Sequence, residues 1–230
     1  KYISQILFLT IPVLIGTGIN EINIIVDKTL ASGLVEGSIS ALNYANRLTG
    51  LIIGVFASAI TTVIYPMLSE NANKKNIAGM KKNMGYGINM ILLITIPASI
   101  GLIVLSKPIV EVVFQRGEFD STATFMTSQA LIFYSMGLAS MGIRPLISRV
   151  FFSMQDTKTP MINGAIAVMF NIVLNLILVR YMAHSGLALA TSIANSIAVI
   201  LLFLNLRKKI GPLGIMSNVK CILKSGLASM

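Results

Sequence analysis

Long apolar stretches separated by short polar segments fill almost all of this chain. They run over residues 5–27, 41–66, 84–105, 122–148, 160–182 and 186–206. A helix that crosses a bilayer needs about 20 mostly apolar residues, because the hydrocarbon core is ~30 Å thick and each helical residue rises ~1.5 Å. The pattern therefore predicts an all-α membrane protein built as a bundle of six transmembrane helices.

The composition agrees with a membrane protein. Hydrophobic residues make up 55% of the chain and charged residues 11%, against roughly 25% charged residues in a typical soluble domain. The mean hydropathy is +0.82. A soluble protein of this size could not hide so many apolar stretches from water.

The net charge of +10 indicates topology rather than a nucleic-acid partner. Eleven Lys and Arg residues fall in the terminal segments and in the loops near 75 and 158, and four fall in the loops near 33, 113 and 183. By the positive-inside rule, both termini and the first set of loops are cytoplasmic. No aromatic and basic platform of the kind that binds nucleic acid accompanies these charges, so no such partner is expected.

Cysteine and histidine are too scarce for disulfide or metal chemistry. Cys221 and His184 are the only residues of their types, which excludes an intramolecular disulfide framework and a cluster of Cys or His ligands. The sequence shows no Ser-His-Asp, Cys-His or paired-carboxylate arrangement. The protein is therefore not expected to be an enzyme, and no cofactor is firmly expected.

The ends of the sequence suggest a piece of a longer membrane protein. It starts at Lys1 rather than at a methionine, and its last stretch is too short to span a bilayer. We expect residues 1–209 to form one transmembrane lobe. Residues 210–230 are expected to form a cytoplasmic linker and the start of a further helix.

Local signals predict where two spans begin and where one bends. Thr159 followed by Pro160 is typical of an N-cap and a first helical residue. Asp120 offers a similar cap for the fourth span. Pro145 lies inside that span, where it removes one backbone hydrogen bond and predicts a kink.

Polar side chains recur inside the apolar stretches at helical spacing, so that each set shares one face of its helix. These sets are Asn20, Asn23 and Asp27 in the first span, Asn43 and Arg47 in the second, Asn163, Asn171 and Asn175 in the fifth, and Thr191 and Asn195 in the sixth. Packing between helices would explain the asparagines, since interhelical hydrogen bonds contribute only ~0.6 kcal/mol on average. Asp27 and Arg47 favour a wet cavity or a binding site, because a charge near the bilayer centre costs about 2.5–3.5 kcal/mol. Arg144 could face such a cavity or extend to the membrane surface.

Three segments of the chain resemble signatures of the MurJ/MviN family. The first is VFQRGEFD over 113–120, followed by Ser121 and Thr122. The second is RVFFSMQDTKTP over 149–160. The third is VDKTLASGL over 26–34, continued by ALNYANRL over 41–48. Together they are specific, and the resemblance covers essentially the whole chain.

This resemblance implies a function and a location. Members of the family are bacterial inner-membrane flippases for lipid II, the peptidoglycan precursor carried on undecaprenyl pyrophosphate, and they belong to the superfamily of MOP exporters. They have two six-helix lobes and an extra C-terminal helix pair. This chain resembles the second lobe, family helices seven to twelve, without the N-terminal lobe. The implied partners are lipid II or a related polyprenyl-pyrophosphate glycolipid, membrane lipids and the N-terminal lobe.

The resemblance also implies a substrate-binding residue. The cavity arginine at the start of family helix eight falls on Arg47, whose guanidinium fork suits a pyrophosphate. Asn43 lies one turn before it on the same polar stripe. These two residues are therefore the predicted contacts to the lipid cargo.

A sodium site is implied in the same way. Its oxygen ligands fall on Asp27, Asn171, Asn175, Thr191 and the backbone carbonyl of Leu187, and oxygen is the ligand that hard cations prefer. The family pattern has a second acid where this chain has Asn175. This substitution lowers the negative charge of the site and leaves open whether sodium or a proton on Asp27 is coupled to transport.

Other functions of the same superfamily stay open on the sequence alone. A cation-coupled multidrug antiporter or another lipid-linked oligosaccharide flippase would have the same spans. The antiporter would need neither the 113–122 signature nor Arg47. A membrane scaffold without transport would use the polar stripes only for packing.

Overall fold

The computed structural model describes residues 2–213, with side chains from residue 10 onward except residues 12 and 13. The described part of the chain is helical and contains no strand. Its helices in order are α1 (Tyr2–Ser32), α2 (Ser38–Ile52), α3 (Ser58–Asn73), α4 (Ile77–Val104), α5 (Ser106–Phe114), α6 (Ser121–Met136), α7 (Leu138–Ser153) and α8 (Lys158–Ile210). Residues 211–213 are irregular. The predicted start of a further helix, with Cys221, lies outside the described residues.

The second predicted span is one long rod with a local change of helical winding. A π-helical turn over Ile53–Ala57 joins α2 to α3 without a break. Turns of this kind are rare and are frequently found at functional sites. The turn lies directly after the stripe that carries Asn43 and Arg47.

Helix α8 is a hairpin of two antiparallel arms. Ala183 interrupts it with φ 48° and ψ −132°, outside the helical region. A straight helix of 53 residues would be roughly 80 Å long. Lys209 nevertheless lies 2.6 Å from Asp156 at the other end of α8. The arms 158–182 and 184–210 therefore lie side by side, as expected for the fifth and sixth spans.

The fourth predicted span bends at a glycine. Helices α6 and α7 meet at 47°, and a Cβ on Gly137 between them would lie 2.7 Å from the Cα atom of Ser192 on α8. The Ser192 hydroxyl donates to the Phe133 carbonyl at 2.6 Å, which satisfies a backbone acceptor beside the bend. Helix α7 continues through Pro145, and the kink predicted at that residue stays a prediction.

One of the two predicted helix caps is correct. Asp120 caps α6 as predicted, accepting a hydrogen bond from the Ala123 amide at 2.8 Å. The cap predicted at Thr159 is wrong, because α8 has already begun there. Instead, the Asp156 carboxylate accepts a hydrogen bond from the Thr159 amide at 3.0 Å. Its side chain thereby satisfies one of the backbone N–H groups in the first turn of α8.

The number of membrane spans stays a prediction. By length and composition, three described segments could cross a membrane, namely Ser38–Asn73, Ile77–Val104 and Lys158–Ile210, and a fourth if the bent pair α6 and α7 forms one span. The last of these three segments contains both arms of the hairpin.

Two apolar clusters hold the helices together, one at each end of the bundle. Leu68, Met80 and Phe151 belong to the cluster near the basic loops. Leu42 and Leu131 belong to the cluster at the opposite end.

Candidate functional site

A cluster of polar side chains joins α1 to both arms of α8. The Asn175 amide donates to the Asp27 carboxylate at 2.5 Å and to the Asn171 oxygen at 2.8 Å. The Asn171 amide lies 3.4 Å from the Thr191 hydroxyl, which donates to the Leu187 carbonyl at 3.0 Å. The five residues expected at an ion site therefore lie together.

Burial makes the cluster costly unless it is satisfied. Asn171 is 2% exposed and Asn175 is fully buried, so each amide must find partners inside the protein. Asn175 Oδ1 accepts no hydrogen bond from the described residues. A buried amide oxygen without a donor is available to bind a cation.

The Asn171 amide is compatible with two orientations. When it is turned by 180°, its nitrogen lies 2.8 Å from Asn23 Oδ1 and 3.2 Å from Asp27 Oδ1, and its oxygen accepts from the Thr191 amide at 3.2 Å. Its nitrogen then also faces the nitrogen of Asn175, so that Asn175 must turn as well. The Asn175 oxygen would then face the Asp27 carboxylate, and two oxygens in contact require a proton or a cation between them.

The donor set fits a monovalent cation. One carboxylate, two amides, a hydroxyl and a backbone carbonyl are oxygen donors suited to a hard ion. The described residues hold no group of three or more His, Cys, Asp or Glu side chains placed to bind a metal. The chemistry therefore suits sodium or a protonated Asp27 better than a transition metal.

The predicted cargo residues lie on an open stripe of α2. Asn43 and Arg47 are exposed, and a Cβ added at Gly50 or Gly54 on the same face would meet nothing within 4 Å. No hydrogen bond or ion pair from the described part of the chain engages Arg47. Its guanidinium lies 5.8 Å from the centre of the Tyr44 ring, a weak cation–π contact.

A small cavity connects the two predicted sites. It has a volume of about 100 Å³, and Asp27, Asn43 and Tyr134 are among its lining residues. Arg47 does not line it. The structure thus brings Asn43, but not Arg47, beside the Asp27 cluster. Tyr134 was missed from the sequence, because one tyrosine in an apolar run carries no distinguishing signal.

The family signature over 113–120 packs its aromatic residues on α2. The Tyr44 ring lies 4.7 Å from the Phe114 ring and 5.2 Å from the Phe119 ring, measured between ring centres. Each such pair contributes about 0.5–1.5 kcal/mol beyond its buried area. This cluster holds the 113–120 loop beside Arg47. The sequence gives no local signal for this cluster, although its rings come from two of the family signatures, 41–48 and 113–120.

Arg144 faces a second, larger cavity, which resolves the choice left open by the sequence. The cavity has a volume of about 390 Å³. The guanidinium donates to Asn195 at 2.9 Å, and Asn195 donates to the Thr191 carbonyl at 2.9 Å. Asn195 therefore connects Arg144 to the backbone of Thr191, whose hydroxyl belongs to the Asp27 cluster.

Asp156 and Arg116, two charged residues of the loops, have structural partners. Asp156 accepts hydrogen bonds from Thr159 and from Lys209. Partial burial acts to raise the pKa of Asp156, but these bonds and the Lys209 charge outweigh it and hold that pKa below its ordinary value. Arg116 donates to the Val113 carbonyl at 3.2 Å inside its own loop.

Known proteins resemble this chain over its full length. The family model described as lipid II flippase MurJ matches residues 1–230. A probable lipid II flippase MurJ from Vibrio cholerae is 40% identical over 201 residues, which cover 87% of this chain and 38% of that protein. Its counterpart from Haemophilus influenzae is 34% identical over 212 residues, 90% of this chain and 41% of that protein. The chain thus spans about two fifths of the length of these relatives.

Solved structures give the same result. A lipid II flippase MurJ in an inward-closed conformation superposes with a TM-score of 0.82 at 36% identity, covering 100% of this chain and 47% of that one. An outward-facing multidrug transporter of the MATE family superposes with a TM-score of 0.77 at 16% identity, covering 98% of this chain and 51% of that one. The second likeness shows a shared fold alone. By sequence and by structure, the chain belongs to the MurJ family of lipid II flippases.

Proposed function

We propose that this chain is the second lobe of a bacterial inner-membrane flippase that translocates lipid II. Membership of the MurJ family is the observation that carries this proposal. The open α2 stripe supports it, because Arg47 is exposed and lacks an acidic partner among the described residues. A multidrug antiporter is less well supported, since the likeness to such transporters is one of fold.

Arg47 is proposed to bind the pyrophosphate of the lipid. Its guanidinium presents parallel N–H donors that match two phosphate oxygens. Asn43 adds an amide on the same helical face, beside the small cavity that reaches Asp27. The aromatic contacts of Tyr44 with Phe114 and Phe119 fix the face of α2 that carries both groups.

We further propose alternating access coupled to a cation or a proton at Asp27. A cation held by Asp27, Asn171, Asn175, Thr191 and the Leu187 carbonyl would neutralise the carboxylate and tie α1 to α8. Loss of that neutralising charge leaves Asp27 with one short bond to Asn175. The position of α1 relative to α8 then depends on what occupies the cluster. Binding and release at the cluster could therefore move α1 relative to the other helices, as alternating access requires.

A depletion experiment tests the proposal. The full-length protein that contains this chain should restore growth and lipid II export to a bacterium depleted of its own flippase. Asp27→Asn should abolish this rescue, whereas Glu21→Gln on the exposed side of α1 should not, with equal membrane levels of all three proteins. Absence of rescue by the wild-type protein at normal levels would overturn the lipid II assignment.

A further inference from the structure

Asp27 is accessible from two directions, and the predicted ion site accounts for one of them. On one side, α8 contacts its carboxylate through the amide of Asn175. Asp27 also lines the small cavity of about 100 Å³ between α1, α2 and α6, together with Asn43 and Tyr134. This volume has room for a few water molecules or for the end of one long side chain.

A lysine shares this cavity with Asp27. The α1 residues that line it are Ile24, Asp27, Lys28 and Ala31. Their spacing i, i+3, i+4, i+7 is that of a single helical face. The carboxylate of Asp27 and the side chain of Lys28 therefore border the same space, although the two residues are direct neighbours in the chain.

Lys28 has no acidic partner on its own helix. The positions three and four residues away from it, where a helical ion pair would form, are Ile24, Ile25, Ala31 and Ser32. The two ion pairs found within the described residues involve other lysines, Lys74 and Lys209. Asp27 is thus the carboxylate that shares a cavity with this ammonium.

The chemistry of lysine suits a charge that changes its place. Its ammonium is a compact point charge on a flexible four-carbon stem. Lys28 is exposed, so the ammonium can lie in water while Asp27 is neutralised by another cation. It can enter the cavity when that cation is absent, because an unpaired carboxylate in a membrane-embedded site is costly.

We propose that Lys28 is a tethered counter-ion of Asp27, which competes with the transported cation and thereby sets the affinity of the Asp27 cluster for a monovalent cation. The transported cation binds Asp27 from the α8 side, and the ammonium approaches it from the cavity. This proposal rests on the proposed coupling at Asp27 and names the residue that regulates it. Asn43, Asn46 and Tyr134 supply polar groups along the cavity wall.

The counter-ion explains how one carboxylate serves both states of the transporter. With the cation bound, Asp27 is neutralised from the α8 side. After release, the ammonium of Lys28 neutralises it from the cavity, so the lobe does not have to rearrange around a bare charge. The same positive charge opposes cation binding, because like charges repel strongly where water is largely excluded.

Sodium binding to the purified full-length protein in detergent tests the proposal. Binding of radioactive sodium is measured at constant ionic strength, with choline as the replacing cation. Lys28→Gln removes the charge and should lower the half-saturating sodium concentration about tenfold, the scale of one like charge several ångströms away. Lys28→Arg keeps the charge and should stay near the wild-type value. The matched control is Lys107→Gln, an exposed lysine of α5 on the same predicted outer side, which should leave the affinity unchanged.

Chemical rescue separates the charge of Lys28 from its packing. Lys28→Cys, in a full-length protein from which other cysteines have been removed, should bind sodium as tightly as Lys28→Gln. Reaction with a thiosulfonate that carries an ethylammonium group restores a lysine-like charge and should bring back the weaker binding. Reaction with methyl thiosulfonate adds no charge and should leave binding tight.

Two kinds of result would overturn the proposal. The first is a sodium affinity of Lys28→Gln that equals that of the wild-type protein, or a gain that Lys107→Gln shows as well. The second is weaker sodium binding in Lys28→Gln, or no saturable binding in any of these proteins. Failure of lipid II export by the wild-type full-length protein, with sodium binding still tighter in Lys28→Gln, would refute the lipid II assignment and leave the counter-ion standing.

Discussion

The amide of Asn175 donates a hydrogen bond of 2.5 Å to the carboxylate of Asp27, although 148 residues separate them in the chain. This contact joins α1 to the first arm of α8. It also places a neutral amide where the resemblance to the family implies a second acid. In this orientation the amide nitrogen of Asn175 satisfies the Asp27 carboxylate directly.

Restoring the second acid should strengthen cation binding. In the full-length protein, Asn175→Asp adds a charge beside Asp27, so the apparent affinity for sodium should rise about tenfold, equivalent to ~1.4 kcal/mol. The readout is the melting temperature in sodium chloride against potassium chloride, because an ion that binds the folded state stabilises it. The double variant Asp27→Asn with Asn175→Asp returns the site to one acid and should lose the gain. A sodium effect identical in all three proteins would remove the cluster from ion binding.

Arg47 should be essential for export without being essential for folding. Arg47→Ala in the full-length protein should abolish rescue of a flippase-depleted cell at normal membrane levels, since the exposed side chain has few contacts to lose. Arg47→Lys should rescue only partly, because an ammonium cannot reproduce the bidentate fork. Arg116→Ala is the matched control, an exposed arginine that bonds its own loop. Full rescue by Arg47→Ala would exclude it from the cargo site.

Topology can be read by cysteine labelling in a full-length protein from which other cysteines have been removed. A membrane-impermeant thiol reagent added to whole cells should label Gly33→Cys and not Asn76→Cys. In permeabilised cells the reagent should label both positions. The physical reason is the excess of Lys and Arg in the loops near 75 and 158. Labelling of both positions in intact cells would contradict the predicted alternation of the spans.

The ion pair between Asp156 and Lys209 should stabilise the hairpin in a pH-dependent way. The folded-state pKa of Asp156 is depressed, so its contribution is complete above the unfolded value of about 3.9 and is lost as the pH falls through the folded value. The melting temperature of the wild-type protein should therefore exceed that of Asp156→Asn at neutral pH and approach it in acid. The effect is modest, since Lys209 is 41% exposed in its side chain. Lys209→Gln should lose part of the same stabilisation, and a pH-independent difference would indicate that only the helix cap matters.

Periodicity made the polar cluster predictable, and this is where sequence reasoning succeeded best. Asn171 and Asn175 are four residues apart, so a helix must present them on one face. Nothing in that spacing says which face of α1 they meet, and the resemblance to a family supplied the pairing with Asp27. The residues were therefore found by two independent kinds of inference, of which only the first is physical.

The features that sequence reasoning missed depend on close approach between distant helices. The bend at Gly137 lies where α8 approaches closely at Ser192, which no local pattern reveals. The aromatic cluster of Tyr44 with Phe114 and Phe119 is missed for the same reason. Arg144 was identified as anomalous by its cost in a membrane, whereas its cavity became visible only once α1, α7 and α8 were placed together.

The bend at Gly137 gives the sharpest test of packing. A Cβ there would lie 2.7 Å from both the Cα and the Cβ of Ser192, so Gly137→Ala must push α8 away from α6 and should cost about 1–3 kcal/mol of stability. Gly101→Ala on α4 is the control, because its Cβ would meet nothing within 4 Å and alanine favours a helix by roughly 0.5–1 kcal/mol. In the full-length protein the first variant should lower the melting temperature while the second leaves it unchanged or raises it. The additional substitution Ser192→Gly should not fully restore the melting temperature of Gly137→Ala, because the Cα atom of residue 192 is itself too close to the added Cβ. Equal melting temperatures for Gly137→Ala and the wild-type protein would show that α8 can shift without cost, and that the bend is not fixed by this contact.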